Sequence, residues 1–223
     1  MKKLLIIMLT VVFFGANGFC GEPEPVDPDV KQVFTKTMEI SNPELELSRD
    51  CKIKGGKAYY TITSIDSWKS EGIWSDLKLL EVMNIKDIIV YLNSPGGSAY
   101  AGLSISDEIR LAQEKGFSFT MEGRGAIMSA AVPVFLMGNK RIISNTVIFL
   151  MHPAKLFKWG AFMEGLAELK SQAKMLELLE SRYAEIVASR TKLSKEKILE
   201  LNKVDTWFTS KEALEWGFVD EVK

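Results

Sequence analysis

The sequence predicts an α/β fold, and three observations carry the prediction. "DIIVYLN" (87–93) is a continuous apolar run, the pattern of a strand buried on both faces of a parallel sheet. Short β-like runs alternate with amphipathic stretches over residues 58–151, which calls for a parallel sheet with right-handed crossovers. A long helical pattern then fills residues 162–189, with Phe162, Leu166, Leu169, Ala173, Leu176, Leu179, Tyr183 and Val187 on one stripe.

The elements follow in order. "AYYTITSI" (58–65) is rich in aromatic and β-branched residues and reads as a strand. In "GIWSDLKLLEVMN" (72–84), Ile73, Leu77, Leu80 and Met83 recur at helical spacing. "PGG" ends the 87–93 strand, and "AGLSISDEIRLAQEKG" continues as a helix stopped by Gly116. "FSFTM" (117–121) is a short strand, "GAIMSAAVPVFLMG" (125–138) supplies a helix ending at Gly138, and "RIIS" (141–144) and "VIFLM" (147–151) are strands. A helix as long as 162–189 either covers the sheet or packs on a second subunit.

The N-terminus is organised differently. Lys2 and Lys3 precede an apolar run from Leu4 to Phe14, and Ala16 and Gly18 stand at −3 and −1 from a cut before Phe19. This resembles a secretory signal peptide over residues 1–18, with a run too short to span a bilayer comfortably. The expectation is therefore an exported chain, periplasmic or secreted, rather than a membrane-anchored one. Lipidation at Cys20 is disfavoured by the bulky Phe19 before it. Residues 19–43, with "EPEPVDPDV", read as an extended linker, and 44–223 as one folded domain. Cys20 and Cys51 would both enter an oxidising compartment, and the residues leave open whether they pair.

Composition excludes some functions. The net charge is −1, and loss of residues 1–18 with their two lysines would leave −3. No basic stripe suggests nucleic acid, and no His/Cys cluster has the spacing of a zinc or iron site. No cofactor is expected.

Chemistry can sit at three places. In "YLNSPGGSAYAG", Gly96 and Gly97 let the backbone turn after a strand, and amides there can receive an anion. Ser129 lies among Gly125, Ala126, Ala130 and Ala131. Such small neighbours permit either close approach of a substrate backbone or tight helix packing. His152, the only histidine, follows "VIFLM" at a strand end. A serine hydroxyl needs a base to become a nucleophile, and histidine is suited to that. Strand ends on one edge of a parallel sheet converge, so the three could meet.

At this point "YLNSPGGSAYAGLSISDEIR", "GAIMSAAV…GNKR", "VIFLMHP" and "WFTSKEALEWGFVDEV" resemble, in order and spacing, the Clp protease proteolytic subunit family. That family shares its fold with signal peptide peptidase A and the crotonases, and the resemblance covers about residues 58–223. It implies a ClpP/crotonase-like fold of repeated ββα units with a long protruding oligomerisation helix. It also implies a serine endopeptidase with Ser129, in a Gly-x-x-x-Ser pattern from Gly125, as nucleophile and His152 as base. Gly96 or Gly97 and the N–H of Ala130 would form the oxyanion hole. Aligning rigidly back from His152 puts Ile127 at the nucleophile position; shortening the "MGNKR" turn by two residues restores Ser129. The family's aspartate falls near Leu201 and Asn202, so Asp205 after a local shift, or Asn202 in its place, would orient the imidazole. The resemblance further implies a homo-oligomer of stacked rings that takes peptides or unfolded chains. Export would remove ATP, so no ATPase partner is expected. A crotonase-like acyl-coenzyme A enzyme and a catalytically inactive ClpP-like binding or assembly protein are the alternatives.

Overall fold

A computed structural model describes residues 46–160 and 163–223. The signal-like segment 1–18, the linker 19–43 with Cys20, the domain start at 44 and Phe162 lie outside the described residues. The described residues open with a hairpin, β1 (Cys51–Lys54) and β2 (Lys57–Ile62), whose turn residues Gly55 and Gly56 have φ of +59° and +75°. Two consecutive positive φ values make the twist of a two-residue turn match that of its strands. Then come α1 (Ser67–Val82), β3 (Asp87–Ser94), α2 (Ala99–Glu114) and β4 (Ser118–Met128). They are followed by α3 (Ala131–Leu136), β5 (Lys140–Ile143), β6 (Ile148–Met151), α4 (Leu166–Arg190) and α5 (Lys195–Leu201). β7 (Thr206–Thr209), α6 (Ser210–Glu215) and β8 (Glu221–Val222) close the chain.

The sheet runs β1-β2-β3-β4-β5-β8, with β6 joining β4 to β7. All pairings are parallel except β1–β2 and β6–β7. Strand β4 serves two neighbours in turn. Thr120–Gly123 pair with β5, and Ala126–Met128 pair with β6. A register shift lies between Leu92 and Ser94 of β3, where β4 passes from one partner to the other. Helices α1, α2 and α3 seal the sheet with Ile73, Leu80, Ile105, Ile109 and Phe135, each buried.

Several expectations change. The 125–138 stretch is half strand: β4 continues to Met128, because residues 126–128 have β6 to pair with, and only Ala131–Leu136 is helical. A short apolar run carries no period that separates the two states. Helix α1 starts at Ser67, five residues before the expected 72, because the Asp66 carboxylate caps it by accepting from the Lys69 amide at 2.8 Å. Helix α4 starts at Leu166 rather than 162, and its stripe packs inward only near its end. Ala184 and Val187 are buried, whereas Leu166 and Leu169 are 68% and 50% exposed. Strand β1 and the elements after α4, namely α5, β7, α6 and β8, were not expected from the pattern.

Candidate active site

The first part of the site is the turn after β3. Ser94, fully buried, accepts the Gly96 amide on its hydroxyl at 3.1 Å. The carbonyl of Gly96 accepts from the Ile65 amide at 3.0 Å, and the Ser98 amide donates to the carbonyl of Ile65 at 2.8 Å. These bonds bind the loop before α1 to the Pro-Gly-Gly turn. Gly96 and Gly97 have φ of +102° and +147°. A Cβ on Gly97 would lie 2.1 Å from the carbonyl oxygen of Ile65, so only glycine fits. The Gly96 amide is committed to Ser94, whereas the Gly97 amide has no acceptor among the described residues. Of the two glycines, Gly97 is the one with a free donor.

Ser129 follows the last residue of β4. Its φ is +53°, a left-handed conformation costing a non-glycine residue about 1–2 kcal/mol. Such strain persists where surrounding structure enforces it. Here the Ser129 amide donates to the Leu150 carbonyl of β6 at 2.8 Å, and the Ser129 carbonyl accepts from the Val132 amide at 3.0 Å. The backbone therefore reverses sharply from strand into α3 with the serine at the corner. The amide of Ala130, next in the chain, has no acceptor among the described residues. Ile127 lies elsewhere. It is fully buried, while Ser129 lines the cleft, so Ile127 does not occupy the cleft mouth.

His152 stands one residue past β6. The register pairs Met128 with Leu150 and Ile127 with Ser94, so the Ser129 corner, His152 and the Pro-Gly-Gly turn leave adjacent strands at one edge. The imidazole Nδ1 lies 2.7 Å from the carbonyl oxygen of Pro153. A carbonyl can only accept, so Nδ1 is the donor in this contact, and the neutral ring would then present its lone pair at Nε2.

These residues share one cleft of about 630 Å³, lined among others by Gly97, Ser129, Ala130, His152, Tyr183 and Asn202. Leu103, Pro133, Leu176 and Leu179 make much of its wall apolar. The two candidates for orienting the imidazole separate clearly. Asp205 does not line the cleft; its side chain is 52% exposed and pairs with Lys155 at 3.6 Å. Asn202 is 4% exposed, lines the cleft as the C-cap of α5, and has an enclosed Oδ1 without a hydrogen-bond partner. Of the two, the structure brings Asn202 to the cleft wall and leaves Asp205 at the surface. The local reason is that α5 ends at Leu201, which brings the next residue against the cleft and lets the chain run outward to Asp205. Helical spacing places Tyr183 on the apolar stripe; it packs against the core and also lines the cleft, with its hydroxyl enclosed and unpartnered among the described residues. A tyrosine on an otherwise apolar helical stripe was the available signal.

Comparison with known proteins identifies the family. The Clp protease family model matches residues 57–223. The ATP-dependent Clp protease proteolytic subunit 2 of Tropheryma whipplei is 34% identical over 164 residues, covering 72% of this chain and 87% of that relative. The proteolytic subunit 3 of Rhodococcus jostii is 34% identical over 159 residues, covering 71% and 76%. Among solved structures, an Asn-to-Asp mutant of ClpP1 from Listeria monocytogenes superposes with a TM-score of 0.65 at 24% identity. That match covers 74% of this chain and 90% of the other, and it shows a common fold. With a matched segment that spans β2 to the C-terminus and a fold to go with it, this chain belongs to the Clp protease family.

Proposed function

We propose that this protein is an exported serine endopeptidase that cleaves peptides or unfolded chains without an ATPase partner. Family membership supports a serine peptidase. The observation that carries the assignment is the position of Ser129, held at φ +53° in the cleft it shares with His152 and with the unpaired amides of Gly97 and Ala130. Ser129 Oγ attacks the peptide carbonyl as His152 Nε2 takes its proton. The two amides receive the negative charge that develops on the carbonyl oxygen, a contribution of several kcal/mol in such sites. The imidazolium then gives the proton to the departing amine, leaving an acyl-enzyme. Water, activated by the same nitrogen, releases the acid and restores the serine. Asn202 orients the imidazole.

Export is supported by the pattern of residues 1–18 alone. Independence from ATP follows from export, since an exported chain meets no ATP. The two relatives are subunits named for an ATP-dependent protease, so the two properties of this chain stand or fall together. The exposed apolar face of α4 at Leu166 and Leu169 supports assembly into a homo-oligomer.

A fluorophosphonate probe tests the chemistry. The wild-type protein should label at Ser129, and Ser129→Ala and His152→Ala should not. Hydrolysis of an unstructured polypeptide by the purified protein alone tests ATP independence, and a requirement for an added ATPase would refute it. An N-terminus at Phe19 in the extracytoplasmic fraction tests export. One observation favours a second reading, an inactive binding or assembly protein: among the described residues, Nδ1 of His152 bonds to its neighbour's carbonyl and to no side chain. Absence of labelling would decide for it.

A further inference from the structure

Two polar atoms in the cleft region have no partner among the described residues. The hydroxyl of Tyr183 and Oδ1 of Asn202 are both enclosed by protein, and neither makes a hydrogen bond there. Tyr183 is on α4 and Asn202 caps α5, two helices packed directly against each other. Both residues line the cleft that holds Ser129 and His152. Leaving a buried polar atom unpaired costs about 1–3 kcal/mol, so two in one cleft wall need a reason. Their chemistries are complementary. A phenol supplies one O–H donor, and an amide oxygen is an acceptor with two lone pairs. Burial pushes the Tyr183 phenol well above its ordinary value, so it keeps its proton and remains a donor.

We propose that Tyr183 is a positioning residue: its hydroxyl donates to Oδ1 of Asn202 and holds that oxygen to receive the Nδ1–H of His152 when the site engages substrate. The inference rests on the reading of His152 as the base. The bond from Nδ1 to Pro153 sets the tautomer, but its acceptor is the next residue of the same strand end and travels with the ring. An acceptor carried by α5 and braced by α4 would fix the ring against Ser129 from outside that segment. Oδ1 has a lone pair for each donor, so one side chain can serve both. A neutral amide suits such a wall, where an enclosed carboxylate would give up its hydration.

The test uses Tyr183→Phe, Asn202→Ala and the double variant in the full-length oligomer. His152 is the only histidine, so the ¹⁵N signals of its ring nitrogens, read with a saturating unstructured peptide bound, are unambiguous. Each single variant should move the Nδ1 signal in the same direction, and the double variant should move it no further than Asn202→Ala alone. On a fluorogenic peptide, Tyr183→Phe should lower kcat about tenfold, the effect of losing one well-placed hydrogen bond, with KM changed less than about twofold. Removing a hydroxyl that truly lacks a partner would raise Tm. A raised Tm with an unmoved Nδ1 signal therefore overturns the proposal, as does an effect on KM alone or losses that multiply independently in the double variant. If fluorophosphonate fails to label Ser129, the peptidase reading falls, and the ring-nitrogen signals still decide whether Tyr183 positions His152 through Asn202.

Discussion

A β-carbon placed on Gly96 would stand 2.7 Å from Cβ of Ser129 and 2.8 Å from the carbonyl oxygen of Met128. The Pro-Gly-Gly turn and the serine corner are thus built against each other at backbone contact, though thirty-three residues of chain separate them. This contact brings the Gly97 and Ala130 amides to the same cleft as the serine.

Gly96→Ala should therefore damage both stability and activity. Its φ of +102° is strained for any residue with a side chain, and the added methyl must displace the serine corner. A loss of about 1–3 kcal/mol in urea unfolding is expected from the backbone alone. Loss of oxyanion geometry should lower kcat/KM for a peptide about 100-fold. A Gly96→Ala variant with wild-type kinetics would separate this turn from the chemistry.

Asn202 and Asp205 should respond oppositely to mutation. Asn202→Ala should lower kcat about 10- to 100-fold, a partial loss because the Pro153 carbonyl still holds the imidazole tautomer. Asp205→Asn should remain within about twofold of wild type, because an exposed pair with Lys155 contributes little. Steady-state kinetics on the two variants checks the assignment.

The C-terminal strand is tied to the sheet by Arg141 and Asp220. Arg141 donates from its backbone amide at 2.8 Å and from its guanidinium at 2.6 Å to the Asp220 carboxylate, and also to the carbonyls of Arg190 and Gly217. Burial alone would raise the Asp220 carboxyl, but the Arg141 bonds outweigh it and hold it below its ordinary value. A depressed folded-state value means that the contribution is present above the unfolded carboxylate range, near pH 4, and is lost as pH falls through the lower folded value. Asp220→Asn should flatten this acid limb of a stability–pH curve. Arg141→Ala should cost about 2 kcal/mol at neutral pH by leaving carbonyls unpaired.

Cys51 should be chemically silent in the folded protein. It is 5% exposed, and burial pushes its thiol up to about 12, with the Asp76 carboxylate adding to the shift and a Tyr60 hydrogen bond partly opposing it. The thiolate is the reactive form, so at pH 8 a Cys20→Ser chain should take up a thiol reagent only on unfolding. Rapid reaction of the native chain would show that β1 opens.

Periodicity and composition carried much of the fold. The runs at 58–65, 87–93, 141–144 and 147–151 overlap β2, β3, β5 and β6, because a buried strand needs an apolar or β-branched run whatever lies around it. The helices after β3 and His152 were legible for the same local reason. The 125–138 stretch was not, since an apolar residue there serves a strand or a helix equally well, and the presence of β6 alongside residues 126–128 decides.

The chain by itself determined which chemical groups exist: one histidine, a serine among small residues, and a glycine pair after a strand. It did not determine which of these meet. Ser129 rather than Ile127 reaches the cleft because β4 ends at Met128 and the next residue turns through a positive φ. Asn202 rather than Asp205 lies there because α5 stops at Leu201. Both outcomes depend on where an element ends against a neighbour distant in sequence, and pairing energy between remote segments leaves no mark on local pattern.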